Sequence, residues 1–161
     1  MLDRLAIILV GEQNSGKTST IRQFNDFYSQ KSVTTLKKGF RYNISPFKPK
    51  YMAIKIAAYI LASSPTESNI PLKDSIDPIG WLPDFIIMPE QTNGMEYSNS
   101  IHYLMSNEYE LKEFAISDIV GDGVWDKWQT GDTFIEEAKL FYRRELIAEY
   151  IREFLIKKTC L

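Results

Sequence analysis

The sequence predicts one α/β domain over residues 1–161, a three-layer fold in which a mainly parallel sheet of about five strands is flanked by helices. The chain has 161 residues, of which 44% are hydrophobic, enough for the core of a single domain. Residues 4–10 form an unbroken apolar run, the pattern of a strand buried on both faces of a parallel sheet. Strand-like and helix-like segments then alternate along the chain, which is typical of such folds.

The elements follow from hydrophobic spacing and from the breakers between them. The predicted strands are residues 4–10, 37–44, 51–61, 84–88 and 111–117, and the predicted helices are residues 16–28, 70–81 (interrupted by Pro78), 98–108 and a long final helix. Periodicity alone does not separate strand from helix for residues 51–61, although the polar end of that segment favours a strand. Pro89 is expected to close the strand before it.

The final helix has a recognisable start and an apolar stripe. Thr133 and Glu136 have the spacing of a capping box, so the helix is expected to begin there. Its predicted inner face consists of Phe134, Ala138, Phe141, Tyr142, Ile147, Ile151, Phe154 and Leu155. Arg143 and Arg144 are expected on the solvated face, and stabilisation of phosphate charge is the alternative.

Charge is distributed unevenly along the chain. Residues 27–66 carry seven bases and no acid, whereas residues 67–132 carry 13 acids and three bases. The basic block is expected either to pair with the acidic block or to line an anionic ligand. Its members are Lys31, Lys37, Lys38, Arg41, Lys48, Lys50 and Lys55. The net charge of -2 argues against nucleic-acid binding as the main role.

Two further observations concern the compartment. No apolar run approaches the roughly 20 residues that a membrane-spanning helix needs, so no membrane partner is expected. The single cysteine, Cys160, cannot form an internal disulfide. A reducing, cytoplasmic location is therefore predicted.

A glycine loop carries the chemistry. The segment Gly11-Glu-Gln-Asn-Ser-Gly16-Lys17-Thr18 fits the pattern G-x-x-x-x-G-K-[ST] between a buried strand and a helix. Glycines allow such a loop to curl so that its amides and the helix N-terminus face phosphate oxygens. Lys17 would bridge the β- and γ-phosphates, and the Thr18 hydroxyl would bind Mg²⁺.

At these residues the chain resembles the P-loop NTPase superfamily, over residues 4–28. The resemblance implies that the protein binds Mg²⁺ and ATP or another nucleoside triphosphate. The predicted nucleotide-binding residues are Gly11, Asn14, Ser15, Gly16, Lys17, Thr18 and Ser19. The Asn-Lys-x-Asp signature of GTPases does not occur, so adenine is favoured over guanine.

A site of this kind also needs a carboxylate at a strand end, to complete the metal shell or orient water. Three residues compete for this role: Glu90, Glu67 and Asp118. Glu90 is favoured because it follows the cleanest apolar strand after the first, with Gln91 beside it to orient water. Lys17 and Glu90 are therefore the predicted catalytic residues.

These features favour an ATPase or a small kinase, whose second anionic substrate the basic block would bind. The alternative is a non-catalytic switch or adaptor that changes its protein partner with nucleotide state, and nucleic-acid binding through residues 27–66 is the third possibility. His102 is expected to be an ordinary helix residue. Trp125 and Trp128 are expected to pack on the core, with a clamp on a partner or substrate as the alternative.

Overall fold

The computed structural model describes residues 3–29 and 40–159. The first three residues of the predicted strand 37–44 lie outside these ranges, as do Lys31, Lys37, Lys38 and Cys160. Within the ranges, no helix combines the length and the apolarity that crossing a bilayer requires.

Seven strands and five α-helices make up the described chain. The strands are β1 (Arg4–Gly11), β2 (Phe40–Ile44), β3 (Ile56–Ile60), β4 (Phe85–Gln91), β5 (Tyr109–Ala115), β6 (Ser117–Val120) and β7 (Asp126–Lys127). The helices are α1 (Lys17–Tyr28), α2 (Pro65–Ser68), α3 (Leu72–Ile76), α4 (Tyr97–Ser106) and α5 (Thr133–Thr159), with a 3₁₀ turn at Asp77–Ile79.

Five strands form the main sheet in the order β2-β3-β4-β1-β5. All neighbours are parallel except β2, which pairs with β3 in the antiparallel sense. The prediction of an α/β protein with a mainly parallel sheet of about five strands is thus confirmed, and the sheet is mixed at one edge. The small second sheet of β6 and β7 was not predicted.

The core lies on both faces of the sheet. Leu5, Ile7 and Leu9 of β1 pack with α1 and α5, whereas Ala6 and Ile8 pack with α3 and α4. All five side chains are buried, as expected for a central strand between two helix layers. Fully burying a large aliphatic side chain stabilises the fold by about 1.5–3 kcal/mol.

Pro89 lies inside β4 and does not close the strand, so the sequence expectation was wrong here. It pairs with Leu9 of β1. The carbonyl of Ile87 accepts the Leu61 amide, so Ile87 and Pro89, two residues apart, direct their backbone polar groups toward the β3 side. The next bond of this ladder would run from the N–H of residue 89 to the Leu61 carbonyl. Pro89 cannot donate it, so the pairing with β3 stops at Ile60 while β1 stays paired on the other side.

The start and the buried stripe of α5 also differ from expectation. Asp132, and not Thr133, caps the helix, because its Oδ1 accepts the Ile135 amide at 3.2 Å. Phe134, Phe141 and Tyr142 are 78%, 45% and 57% exposed. The buried residues of α5 are Lys139, Leu140, Arg143, Ile147, Ala148, Ile151 and Phe154.

Candidate functional site

The carboxyl edge of the sheet divides between β1 and β4. Helix α1 follows β1 onto one face, and α4 follows β4 onto the other. The last residues of the two strands, Gly11 and Gln91, are paired. In open α/β sheets such a switch point leaves a crevice at the carboxyl ends, where ligands preferentially bind. Residues 11–18, the glycine loop, lie at this crevice.

The backbone of the glycine loop is curled. Asn14 and Gly16 have left-handed φ angles of 63° and 91°. Turns that mix right- and left-handed residues point successive amides toward one concavity and can hold an anion. Gly16 is also the N-cap residue of α1, and no side chain among the described residues caps the helix N-terminus there. The first-turn amides of α1, which lack partners within the helix, thus point out of the same end of the loop.

Gly16 is required by space as well as by its backbone angle. A Cβ atom at this position would lie 2.3 Å from Cη2 of Trp128. The indole therefore presses directly against the loop backbone. Any larger residue would force the loop and Trp128 apart.

Lys17 is folded onto the loop. Its Nζ donates to the carbonyls of Gly11 at 2.8 Å and Glu12 at 2.7 Å, and the residue is only 5% exposed. Burial lowers the pKa of Lys17, whereas the nearby carboxylates of Glu67, Glu12 and Glu90 act in the opposite direction. The lysine is thus a buried positive charge at the base of the curled loop.

An open cleft of about 300 Å³ adjoins the loop, lined by Gln13, Asn14, Ser15, Gly16, Lys17, Thr18, Ser19 and Glu67. The hydroxyl of Thr18 donates to the Ala62 carbonyl just after β3, at 3.0 Å. The Ser15 hydroxyl is buried and has no hydrogen-bond partner among the described residues. Six of the predicted nucleotide-binding residues therefore line one cleft, and the seventh, Gly11, accepts a hydrogen bond from Lys17.

Glu67 is the carboxylate that faces the cleft. It lies in α2, whose N-cap Ser64 accepts the Glu67 amide at 3.0 Å. Its Oε1 accepts a hydrogen bond from Nε2 of Gln91 at 3.2 Å. Thr66, beside it, accepts the Glu96 amide at 3.1 Å, so α2 is also fastened to the loop after β4.

The other two candidate acids lie elsewhere. Glu90 is fully buried; its carboxylate accepts the Gln91 amide at 3.0 Å and the Ser100 hydroxyl at 3.4 Å, and it is not among the residues lining the cleft. Asp118 was expected to end a strand, but it lies within β6 and is paired with Lys127 at 3.4 Å on the surface. Lys17 and Glu67 therefore meet at the cleft, and Glu90 lies behind it.

Arg143 lies behind the glycine loop, although the sequence predicted that it would lie on the solvated face of the final helix. It is fully buried between the rings of Trp125 and Trp128, 5.5 Å and 5.0 Å from their centroids. Trp125 also stacks on Phe114, 4.8 Å between centroids. The expectation of a solvated arginine was wrong because the chain between β5 and α5 folds over this face of the helix. The sequence does contain a sign that Arg143 is buried: it lies four residues from Lys139 and four from Ile147, so all three share one face of the helix.

The described members of the basic block do not pair with the acidic block. Arg41 stacks on Trp81, 4.0 Å from the ring, and Lys48 donates to the Phe27 carbonyl at 2.7 Å. Lys50 lies 5.7 Å from the ring of Tyr51, and Lys55 is exposed. Among residues 3–29 and 40–159, none of these four cations forms an ion pair with a carboxylate. None of them lines the cleft beside the glycine loop.

A larger groove of about 800 Å³ lies at the opposite edge of the sheet. The residues before β4 and β5 form part of its wall, with Trp81 and Asn107 among them. His102 lines it from α4 and is exposed, in keeping with its expected place on a helix.

Comparison with known proteins identifies no relative. No protein-family model matches the chain, and neither a curated protein nor a solved structure is significantly similar to it. Within the described ranges, no three His, Cys, Asp or Glu side chains are grouped so as to hold a metal ion.

Proposed function

We propose that the protein is a P-loop nucleotide-binding protein that holds the phosphates of a Mg²⁺-bound nucleoside triphosphate in the glycine loop. The observation that carries the proposal is the meeting of left-handed Asn14 and Gly16, the uncapped N-terminus of α1 and buried Lys17 at one open cleft. Amides and a positive charge converging on one concavity are suited to a polyphosphate.

Lys17 would supply the positive charge to the phosphates. Its Nζ now has two carbonyl partners, which are neutral acceptors. A phosphate oxygen carries negative charge and forms a stronger, charge-assisted hydrogen bond. An incoming triphosphate would therefore draw the ammonium group away from the carbonyls of Gly11 and Glu12.

The residues at the cleft fit Mg²⁺, which prefers oxygen ligands and usually combines one or two protein oxygens with phosphates and water. The Thr18 hydroxyl donates its hydrogen to Ala62 and so keeps its oxygen lone pairs free. Glu67 adds a carboxylate to the same cleft. Thr18 would bind the ion directly, and Glu67 would bind it or a water in its shell; the ion would offset phosphate charge.

For catalysis we assign the acid to Glu67 in place of the predicted Glu90. Glu67 lines the cleft, whereas the carboxylate of Glu90 is engaged with Gln91 and Ser100. In hydrolysis the oxygen of a water would bond to the γ-phosphorus as the bond to the β-γ bridging oxygen breaks. Glu67, with Gln91 donating to it, would orient that water, whose proton goes to the released phosphate. In a kinase an acceptor hydroxyl would replace the water.

A non-catalytic switch or adaptor is the second candidate. The segment that directly follows β3, Leu61 to Pro65, contains no carboxylate, and Glu67 stands on a four-residue helix. A site whose acid is held on so short an element would bind nucleotide but turn it over slowly or not at all. The cytoplasmic location remains a prediction.

Titration calorimetry tests the binding proposal. With Mg²⁺ present, we expect ATP and inorganic tripolyphosphate both to bind, because the glycine loop recognises phosphates. GTP is the control for base preference, and we expect it to bind more weakly than ATP. Absence of heat with all three ligands, in protein shown to be folded by circular dichroism, would refute the proposal. Phosphate release from ATP then separates the enzyme from the switch: turnover supports the first, and tight binding without turnover supports the second.

A further inference from the structure

Arg143 is a buried cation without a carboxylate partner among the described residues. Its Nε donates to the Val124 carbonyl at 2.8 Å, and its Nη2 donates to the Asp126 carbonyl at 3.0 Å. Burial lowers the pKa of Arg143 to about 10, an effect that the negative charge of Asp126 partly opposes. The guanidinium therefore stays charged at neutral pH, and neutral oxygens hold it in place.

The remaining nitrogen of Arg143 reaches the glycine loop. Nη1 donates to the carbonyl of Ser15 and to the hydroxyl of Thr20, each at 3.4 Å. The C=O of Ser15 and the N–H of Gly16 belong to one planar trans peptide, so they point in opposite directions. By holding that carbonyl, Arg143 turns the Gly16 amide away from α5.

Trp128 adds a second restraint at the same peptide. Its ring edge lies against Gly16, and its ring lies over the Arg143 guanidinium. The Ser15-Gly16 peptide is thus held by a hydrogen bond to its carbonyl oxygen and by the Trp128 indole, which packs against the Cα of Gly16. Neither group lines the cleft that the glycine loop forms.

We propose that Arg143 is a positioning residue for the glycine loop: from behind, it fixes the Ser15-Gly16 peptide so that the Gly16 amide faces an incoming phosphate, and its charge adds attraction for that anion. The inference rests on the proposed function of the loop. A fixed positive charge close behind the loop, with little water between, acts more strongly than one on the surface.

Lys139 provides a matched control, because it lies one turn earlier on the same face of α5. It is 6% exposed and, like Arg143, donates to carbonyls of the segment before α5: Asp126 at 3.1 Å and Lys127 at 3.4 Å, together with Gly121. It makes no hydrogen bond to the glycine loop. The two residues share burial, charge and the segment they hold, and differ in contact with the loop.

The test is calorimetric titration of Arg143→Gln and Lys139→Gln with Mg²⁺ and tripolyphosphate, alongside the wild type. We expect Arg143→Gln to weaken binding at least about tenfold, because a misoriented Gly16 amide loses its charge-assisted hydrogen bond to the phosphate, and Lys139→Gln to stay within about twofold. Equal losses in the two variants would overturn the inference and leave the proposed function standing. A wild type that binds neither tripolyphosphate nor ATP would overturn both.

A spectroscopic signal separates orientation of the loop from general destabilisation. In ¹⁵N-labelled protein, tripolyphosphate should shift the Gly16 amide resonance in the wild type and in Lys139→Gln, and much less in Arg143→Gln. An equal shift in all three would contradict the orienting role. If Arg143→Gln does not fold, Arg143→Lys decides: it keeps the charge but cannot form the same fork of hydrogen bonds. We expect its affinity to fall below that of the wild type, and wild-type affinity would overturn the orienting role.

Discussion

The two clefts of the molecule lie at opposite edges of one sheet and differ in what converges on them. The groove at the amino edge is the larger, about 800 Å³, and is walled by mixed polar and apolar side chains around Trp81 and His102. The cleft at the carboxyl edge is about 300 Å³, yet backbone amides, Lys17 and Glu67 meet there. Volume alone would favour the amino-edge groove as the ligand site. The carboxyl-edge cleft is favoured because charged groups converge on it and because the connections after β1 and β4 lead to opposite faces of the sheet.

The largest effect is expected from removing the lysine at the carboxyl edge. Lys17→Ala should weaken triphosphate binding by about 100-fold, because two charge-assisted hydrogen bonds to phosphate are lost. Lys73→Ala removes an exposed lysine from the amino-edge groove and should leave affinity unchanged. Calorimetry on both variants compares the two edges directly. An equal loss of triphosphate affinity in both would contradict the assignment of the binding site to the carboxyl edge.

The second prediction compares the acids at the carboxyl edge. Glu67→Gln should lower turnover of ATP by about 100-fold with little change in affinity, because an amide binds or orients water less well than a carboxylate. Glu90→Gln keeps an oxygen to accept the Gln91 amide, and its NH₂ group can donate to the Ser100 hydroxyl, so turnover should stay close to that of the wild type. Phosphate release is the measurement. The reverse ranking would restore Glu90 as the catalytic acid.

The third prediction uses one glycine from each edge, Gly16 at the loop and Gly80 in the groove. Both have left-handed φ angles, 91° and 85°. Alanine costs about 1–2 kcal/mol in that conformation at either site. A Cβ at Gly80 would meet nothing within 4 Å, whereas one at Gly16 would meet Trp128. Urea denaturation should therefore show a larger loss of unfolding free energy for Gly16→Ala than for Gly80→Ala. Equal losses would mean that Trp128 moves aside at no cost.

The smallest effect belongs to the amino edge. Burial, and then the negative charge of Asp77 together with the hydrogen bond to it, raises the pKa of Tyr103 to about 12. Since the pKa is raised in the folded state, the associated stability is present below pH 10 and is lost as pH rises toward 12. Tyr103→Phe should lose less melting temperature between pH 8 and pH 11 than the wild type. Its affinity for triphosphate at neutral pH should not change, and a change would show that the two edges are coupled.

Local features of the fold were predictable from the sequence. The strand at residues 4–10 and the helix that follows the glycine loop were predicted correctly because each depends on neighbours in the chain. The curl at Asn14 and Gly16 follows from the same short segment.

The errors came from contacts between distant segments. β4 continues through Pro89 because β1 pairs with it on one side, and the missing N–H of Pro89 ends only the pairing with β3; the local sequence does not contain this fact of pairing. The exposed positions of Phe141 and Tyr142 have a similar cause. Once the chain before α5 supplies carbonyls to Lys139 and Arg143, these polar residues turn inward and the aromatic residues between them turn out.

The candidate site was predicted in part for the same reason. Residues 11–19 are contiguous, so the sequence could predict that they lie together at one site. The choice among the acids depended on how α2 folds back over the end of β3, which joins Thr66 to Glu96 and Gln91 to Glu67. No pattern within residues 61–67 indicates that path.

The contact of Lys17 with its own loop has a consequence for exchange of ligands. The ammonium group has the carbonyls of Gly11 and Glu12 to return to whenever the cleft empties. Under the proposed function, departure of a bound anion would therefore leave no unpaired charge behind, which would ease release and limit how tightly the anion is retained. A loop with this internal substitute is suited to repeated cycles of loading and unloading.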